Sequence, residues 1–211
     1  MEILGGTVVN QTYKNSVRKQ QTKEKYWIRR LVKLKTLLGD QSIADILLVW
    51  SEFRPAALVE ISYLPQSTIS RLKFHRTVHD LEEILRKLTP WYQLKLNYPK
   101  GPGELTQYSC IAKDQSTLRK LIAASVEKNI KKRRRQLGAL LGYPKTAIVA
   151  FANGKTFDLH KLPPAIFKKI KDIKFLNFRL SRHWREELKY IEKRAKEIKK
   201  ISPELHRRIA S

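Results

Sequence analysis

The chain has 211 residues, 42% of them apolar, and a formal net charge of +25 from 44 Lys and Arg against 19 Asp and Glu. That apolar share supports a folded core and excludes a disordered basic tail. The lone cysteine, Cys110, excludes an internal disulfide and suits a reducing, cytoplasmic setting, and no stretch approaches the ~18 apolar residues of a membrane span.

Residues 1–25 read as a basic N-terminal arm, with no secretory signal. Tyr26–Leu38 places Trp27, Leu31, Leu34 and Leu38 at helical spacing, with Arg29, Arg30, Lys33 and Lys35 elsewhere on the surface. Gly39 is a helix stop, and Asp40 or Ser42 a cap for the next helix. Ile43–Phe53 is apolar nearly all round and predicts a buried helix ended by Pro55. Ala57–Leu64 predicts a strand, and Asp80–Leu88 a short amphipathic helix. Trp91–Tyr98 alternates and predicts a second strand. It is joined by the Pro99–Gly103 turn to a partner at Leu105–Ala112.

Asp114 opens a long predicted helix whose stripe is Leu118, Leu121, Ile122, Val126 and Ile130, running on into Lys131–Arg135. Gly142-Tyr143-Pro144 breaks it, Thr146–Phe151 is a short helix or strand, and Pro163-Pro164 starts another helix. A last long helix spaces Leu180, Trp184, Leu188, Ile191, Ala195, Ile198 and Ile201 by three and four. The domain reading is an α+β core over 26–160, followed by a basic C-terminal helical region over 161–211.

Charge is unevenly placed along this plan. Residues 41–112 hold 8 Lys and Arg against 7 acids, 113–160 hold 11 against 3, and 161–211 hold 16 against 6. A compact chain this basic repels itself unless a polyanion neutralises it, which is the footprint of a nucleic-acid partner. Lys131, Lys132, Arg133, Arg134 and Arg135 form the densest run. Five adjacent cations fan around a helix, and Glu127 is the nearby acid, so phosphate is the expected partner. On the C-terminal helix, Glu186, Glu187, Glu192 and Glu197 are expected to pair locally with part of the Lys and Arg.

Other motifs carry less chemistry. Thr68-Ile69-Ser70-Arg71 resembles the start of a recognition helix in bacterial helix-turn-helix repressors, with Leu64 at the apolar turn position. However, Tyr63 stands where that turn wants Gly, and the segment lies in the neutral centre. Gly154-Lys155-Thr156 could end a phosphate-binding loop only with Gly at position 149, which is Val149. His75 and His79 share a helical spacing but lack further metal ligands at a recognisable spacing.

Leu141-Gly142-Tyr143-Pro144-Lys145-Thr146-Ala147-Ile148-Val149-Ala150-Phe151 resembles the Leu-Gly-Tyr-Pro-x-Cys-Cys-x-x-x-Phe segment of a largely archaeal family of unknown function. Here Thr146 and Ala147 replace the cysteine pair, so the resemblance implies a scaffold without that pair's metal or thiol chemistry. Tyr143 and Phe151 would be core or stacking residues. Size and charge are similar to those of archaeal ribosome-associated factors that pair resting small subunits. This resemblance implies ribosomal RNA and the small ribosomal subunit as partners, with a homodimer as the active form.

The sequence therefore predicts an α+β fold, a small antiparallel sheet packed by helices with basic helical flanks. Function is expected to be non-catalytic RNA binding through Lys131–Arg135, Arg29, Arg30, Lys33, Arg182, Arg185, Lys189 and Lys193. The stripe Leu180, Trp184, Leu188 and Ile191 is expected at a dimer seam. No catalytic residue, metal or cofactor is expected. The rival expectation is a helix-turn-helix DNA-binding regulator.

Overall fold

The computed structural model describes residues 22–63, 68–89, 91–94, 105–161, 170 and 172–211. Nearly all of the N-terminal arm, the Pro99–Gly103 turn and the helix predicted at Pro163-Pro164 lie outside the described residues. Three strands form one antiparallel sheet: β1 (Ala56–Tyr63), β2 (Trp91–Gln93) and β3 (Leu105–Ala112). Their order is β1-β3-β2, so β3 is central, and Ala112 pairs with Ala56 on one side and Trp91 on the other. The fold class is α+β, and the predicted hairpin is present.

Side chains of a strand alternate between faces, and here both faces are covered. Ala57, Val59, Ile61 and Ile111 enter the larger core, whereas Ala56, Leu58, Cys110 and Ala112 meet Leu121 and Leu141 on the other side. The larger core is built by α1 (residues 22–32), α2 (Lys35–Trp50) and α3 (Thr68–Leu88). Gly39 interrupts α2 with φ 69°, a left-handed value that glycine adopts without strain. Every residue from Ile43 to Val49 is buried, as the all-round apolar pattern predicts. Asp40 and Ser42 take other partners: Arg208 donates to Asp40, and the Glu60 N–H donates to the Ser42 hydroxyl.

α3 runs 21 residues, not the nine read from sequence, because the stripe of Leu81, Ile84, Leu85 and Leu88 extends back through Val78 and Phe74. It follows strand β1, whereas a helix-turn-helix places a helix ahead of its turn.

The long helix predicted from Asp114 is two helices, α4 (Gln115–Ser125) and α5 (Ile130–Leu140). Asp114 caps α4 by accepting from the Thr117 N–H at 2.7 Å, which holds its carboxyl below the usual range. Asn129 caps α5 by accepting from the Lys132 N–H at 3.0 Å. That second cap starts a fresh helix and leaves Val126 and Ile130 exposed, not on an apolar stripe. α6 (Lys145–Ala152) follows Gly142, whose φ of 70° turns the chain.

The C-terminal region is α7 (Trp184–Ile201) and α8 (Pro203–Ala210). It is not a separate flank. Leu180, Ile191, Ala195, Ile198, Leu205 and Ile209 are buried in the same core as α2. The expected dimer seam is therefore used inside the chain: Leu180 and Ile191 are buried, Leu188 packs on the core, and Trp184 stacks on Phe157. Among the described residues, no helix is long and apolar enough to cross a membrane.

Candidate nucleic-acid interface

α5 and α6 lie side by side, closely enough that a methyl group on Gly138 would meet Ile148 at 2.7 Å. This packing sets Arg134 of α5 beside Phe151 of α6. Lys131 and Arg135 are exposed, Arg133 is half-buried, and no described acidic side chain pairs with any of the three. Lys132 differs, since its ammonium sits 2.8 Å from Glu127. That bond, with the Asn129 N–H, lowers the Glu127 carboxyl below its ordinary range. Arg134 lies 4.6 Å over the Phe151 ring, within cation–π range. Phe151 itself is 39% exposed.

Two cavities flank α6. The first, about 910 Å³, is lined by Arg134, Tyr143, Ile148, Phe151, Phe157, Asn177, Phe178 and Arg179, among others. The second, about 430 Å³, gathers Lys145, Lys155, Arg182 and His183. Arg179 thus joins Arg134 on the first cavity, and Lys145 and Lys155 join Arg182 on the second, although the sequence reading did not single out Arg179, Lys145 or Lys155. Their signal is weak in sequence because they are isolated cations on three separate segments.

Buried polar groups hold this face in place. Asp45 in α2 accepts from Arg54 at 2.5 Å, from Arg194 at 3.0 Å and from Asn177 at 3.1 Å. Arg54 and Arg194 are 1% and 0% exposed, so one carboxylate meets two buried guanidiniums. Arg194 also donates to the Phe175 carbonyl and to Gln41. Arg54 lies 5.4 Å over the Tyr143 ring, and the Tyr143 hydroxyl donates to the Asn177 carbonyl at 3.1 Å. Burial pushes the Tyr143 hydroxyl above its ordinary pKa, partly offset by Arg54. The 175–178 segment is therefore fastened to α2, α7 and the start of α6 at once.

Glu187 makes a second fastening. Its carboxylate is buried and accepts from the Ser181 N–H at 2.8 Å, the Ser181 hydroxyl, and the Thr146 hydroxyl at 2.5 Å. It is not available for the local pairing expected on α7. Lys200 with Glu197, at 3.9 Å, is the ion pair made within α7 among the described residues. Arg182, Arg185, Lys189 and Lys193 are exposed without a described acidic partner, and Arg185 lies 4.8 Å from the Trp184 ring.

No family model, curated protein or solved structure matches this chain. The geometry is the sole guide to its chemistry.

The remaining expected cations belong elsewhere. Arg30 pairs with Asp80 at 3.1 Å and Glu83 at 2.9 Å and lies 5.1 Å from the Trp27 ring, so it ties α1 to α3. Arg29 on α1 and Lys33 in the turn after it are exposed. Ile28 of α1 shares a cleft with Lys200 and Ile201, at the far end of α7 from Arg182. α7 spans about 27 Å at 1.5 Å per residue, so α1 is not part of the α5–α6 face. Among the described residues, no group of three or more His, Cys, Asp or Glu is placed to hold a metal ion.

Proposed function

We propose that the protein is a non-catalytic RNA-binding factor that associates with ribosomal RNA on the small subunit, using the α5–α6 face as its main contact. The observation that carries this reading is the set of cations Lys131, Arg133 and Arg135. They have no described acidic partner and stand beside Arg134, which lies over an exposed phenylalanine. Unpaired cations release counterions on meeting phosphate, and an exposed ring beside a guanidinium takes an unstacked base.

RNA suits this face better than a DNA groove. Beyond the α5 run, Arg179, Lys145, Lys155 and Arg182 stand on separate segments around two cavities, an irregular surface that suits unstacked RNA. Self-association through Leu180, Trp184, Leu188 and Ile191 would require the core to open, so RNA binding in this reading does not depend on a second copy. Pairing of resting subunits would need a different contact face.

The experiment is sedimentation of cell lysate on sucrose gradients at low and high salt, following the protein with an antibody. Co-migration with the small-subunit peak at low salt, and release at high salt, is the expected result. A protein that stays at the top of the gradient in low salt would overturn the proposal.

A further inference from the structure

We propose that the cavity between α5, α6 and the 176–180 segment holds one unstacked nucleotide of the bound RNA, with its base against the aromatic wall and its phosphate on Arg134 and Arg179. This rests on the RNA-binding reading and narrows it from a charged surface to a defined recess.

At about 910 Å³ the cavity lies within the range of small-molecule sites, ample for one nucleotide. Tyr143, Phe151, Phe157 and Phe178 all line it, and the Tyr143 and Phe178 rings lie 5.2 Å apart. Aromatic faces accept any base, since every base has a π-face. Arg134 and Arg179 come from opposite sides of the cavity in the chain, one on α5 and one beyond α6, and Asp158 is the acidic residue among the described lining.

Asn177 also lines the cavity and is held in the wall by its amide nitrogen, which donates to Asp45 at 3.1 Å and 3.4 Å. Behind this wall the two buried guanidiniums of Arg54 and Arg194 outnumber the Asp45 carboxylate. Excess positive charge at low dielectric favours an anionic occupant in front of it. An uncharged apolar ligand would leave the guanidiniums unanswered. A simple phosphate would leave the rings bare.

The test uses the full chain and two probes: the four nucleoside 5′-monophosphates, and ribose 5-phosphate as the phosphate without a base. The expected result is that a nucleoside monophosphate shifts the Asn177 side-chain amide resonance and ribose 5-phosphate does not. Thr156→Trp, at an exposed position on the lining, should fill the recess and weaken nucleotide binding about tenfold, a share typical of base stacking. Its ribosomal RNA affinity should keep the wild-type salt slope. Arg179→Ala, also exposed, should weaken both monophosphates and ribose 5-phosphate if the latter binds at all, and its melting temperature should match wild type.

If ribosomal RNA binds with a steep salt slope but no mononucleotide shifts Asn177, the recess is not a nucleotide site and the surface reading stands. Unchanged nucleotide affinity in folded Thr156→Trp also overturns the recess. If neither mononucleotide nor RNA binds the wild-type chain, both readings fall.

Discussion

Replacing Lys131, Arg133 and Arg135 together with alanine is the sharpest probe of the α5 face. All three lie within α5, and none has a described acidic partner, so folding loses no ion pair. Alanine is at least as good a helix former, and relief of like-charge crowding offsets lost packing of the stems, so stability should move by no more than about 0.5 kcal/mol. Binding should change far more. At ~1 kcal/mol per charge-assisted contact, three contacts are worth about 3 kcal/mol, on the order of a hundredfold in affinity. The slope of log K against log salt should flatten by about 2, from roughly 0.7 for each single-strand phosphate lost. Fluorescence anisotropy with a ribosomal RNA fragment across a salt series reads both quantities, and circular dichroism melts check the fold. Lys132→Ala is the internal comparison, because that ammonium already faces Glu127 and should matter less. A triple variant that melts like wild type and binds within about twofold of it, with the slope unchanged, would refute the clamp.

Three further outcomes follow from buried or capping groups. Asp45→Asn leaves two buried guanidiniums facing a neutral amide and should cost ~3 kcal/mol or more in urea unfolding; a cost below ~1 kcal/mol would mean water or another anion neutralises them. Asn129→Ala removes the α5 cap and should cost about 1 kcal/mol by the same assay, with no change expected from Asn153→Ala, which caps nothing by its side chain. Burial raises the pKa of Tyr143 and Tyr190, so the folded state holds their protons more tightly than the unfolded chain does. Their contribution is complete below the ordinary tyrosine value of about 10 and is lost as pH rises through the raised folded values. Tyrosinate absorbance should show these two lagging until the fold opens, and full titration of all tyrosines in a still-folded chain would contradict it.

Much of the fold is written in local pattern. The alternation read over Trp91–Tyr98 pointed to the strand that pairs with Leu105–Ala112, described over Trp91–Gln93, and the nearly all-apolar run Ile43–Phe53 pointed to the buried helix. Misreadings came where a polar side chain acts on the backbone. Asn129 divides what periodicity joins, because an asparagine cap competes with continued helix. The Leu180–Ile191 stripe reads equally well as a seam between copies or a seam with α2, since apolar spacing says that a face is covered but not by what. The cationic site was half legible. Lys131–Arg135 stands out as a run, whereas Arg179 meets Arg134 at one cavity, and Lys145 and Lys155 meet Arg182 at another, only once the chain is folded. Arg194 looks like surface charge in sequence and proves to be a buried strut, and Arg30 ties two helices together at the surface.

The pairing of Asp45 with Arg194, and of Asp40 with Arg208, joins residues 149 and 168 positions apart. During synthesis α2 leaves the ribosome long before the arginines and apolar faces of α7 and α8 that cover it. A helix buried on all sides in the finished protein must then wait with one face open, its carboxylate held by Arg54 without Arg194, until α7 appears. Closure of the fold is thus a late event, set by the emergence of α7 and α8. A chain cut short within α7 would present α2 to aggregation and proteolysis, and would not persist as a smaller working protein.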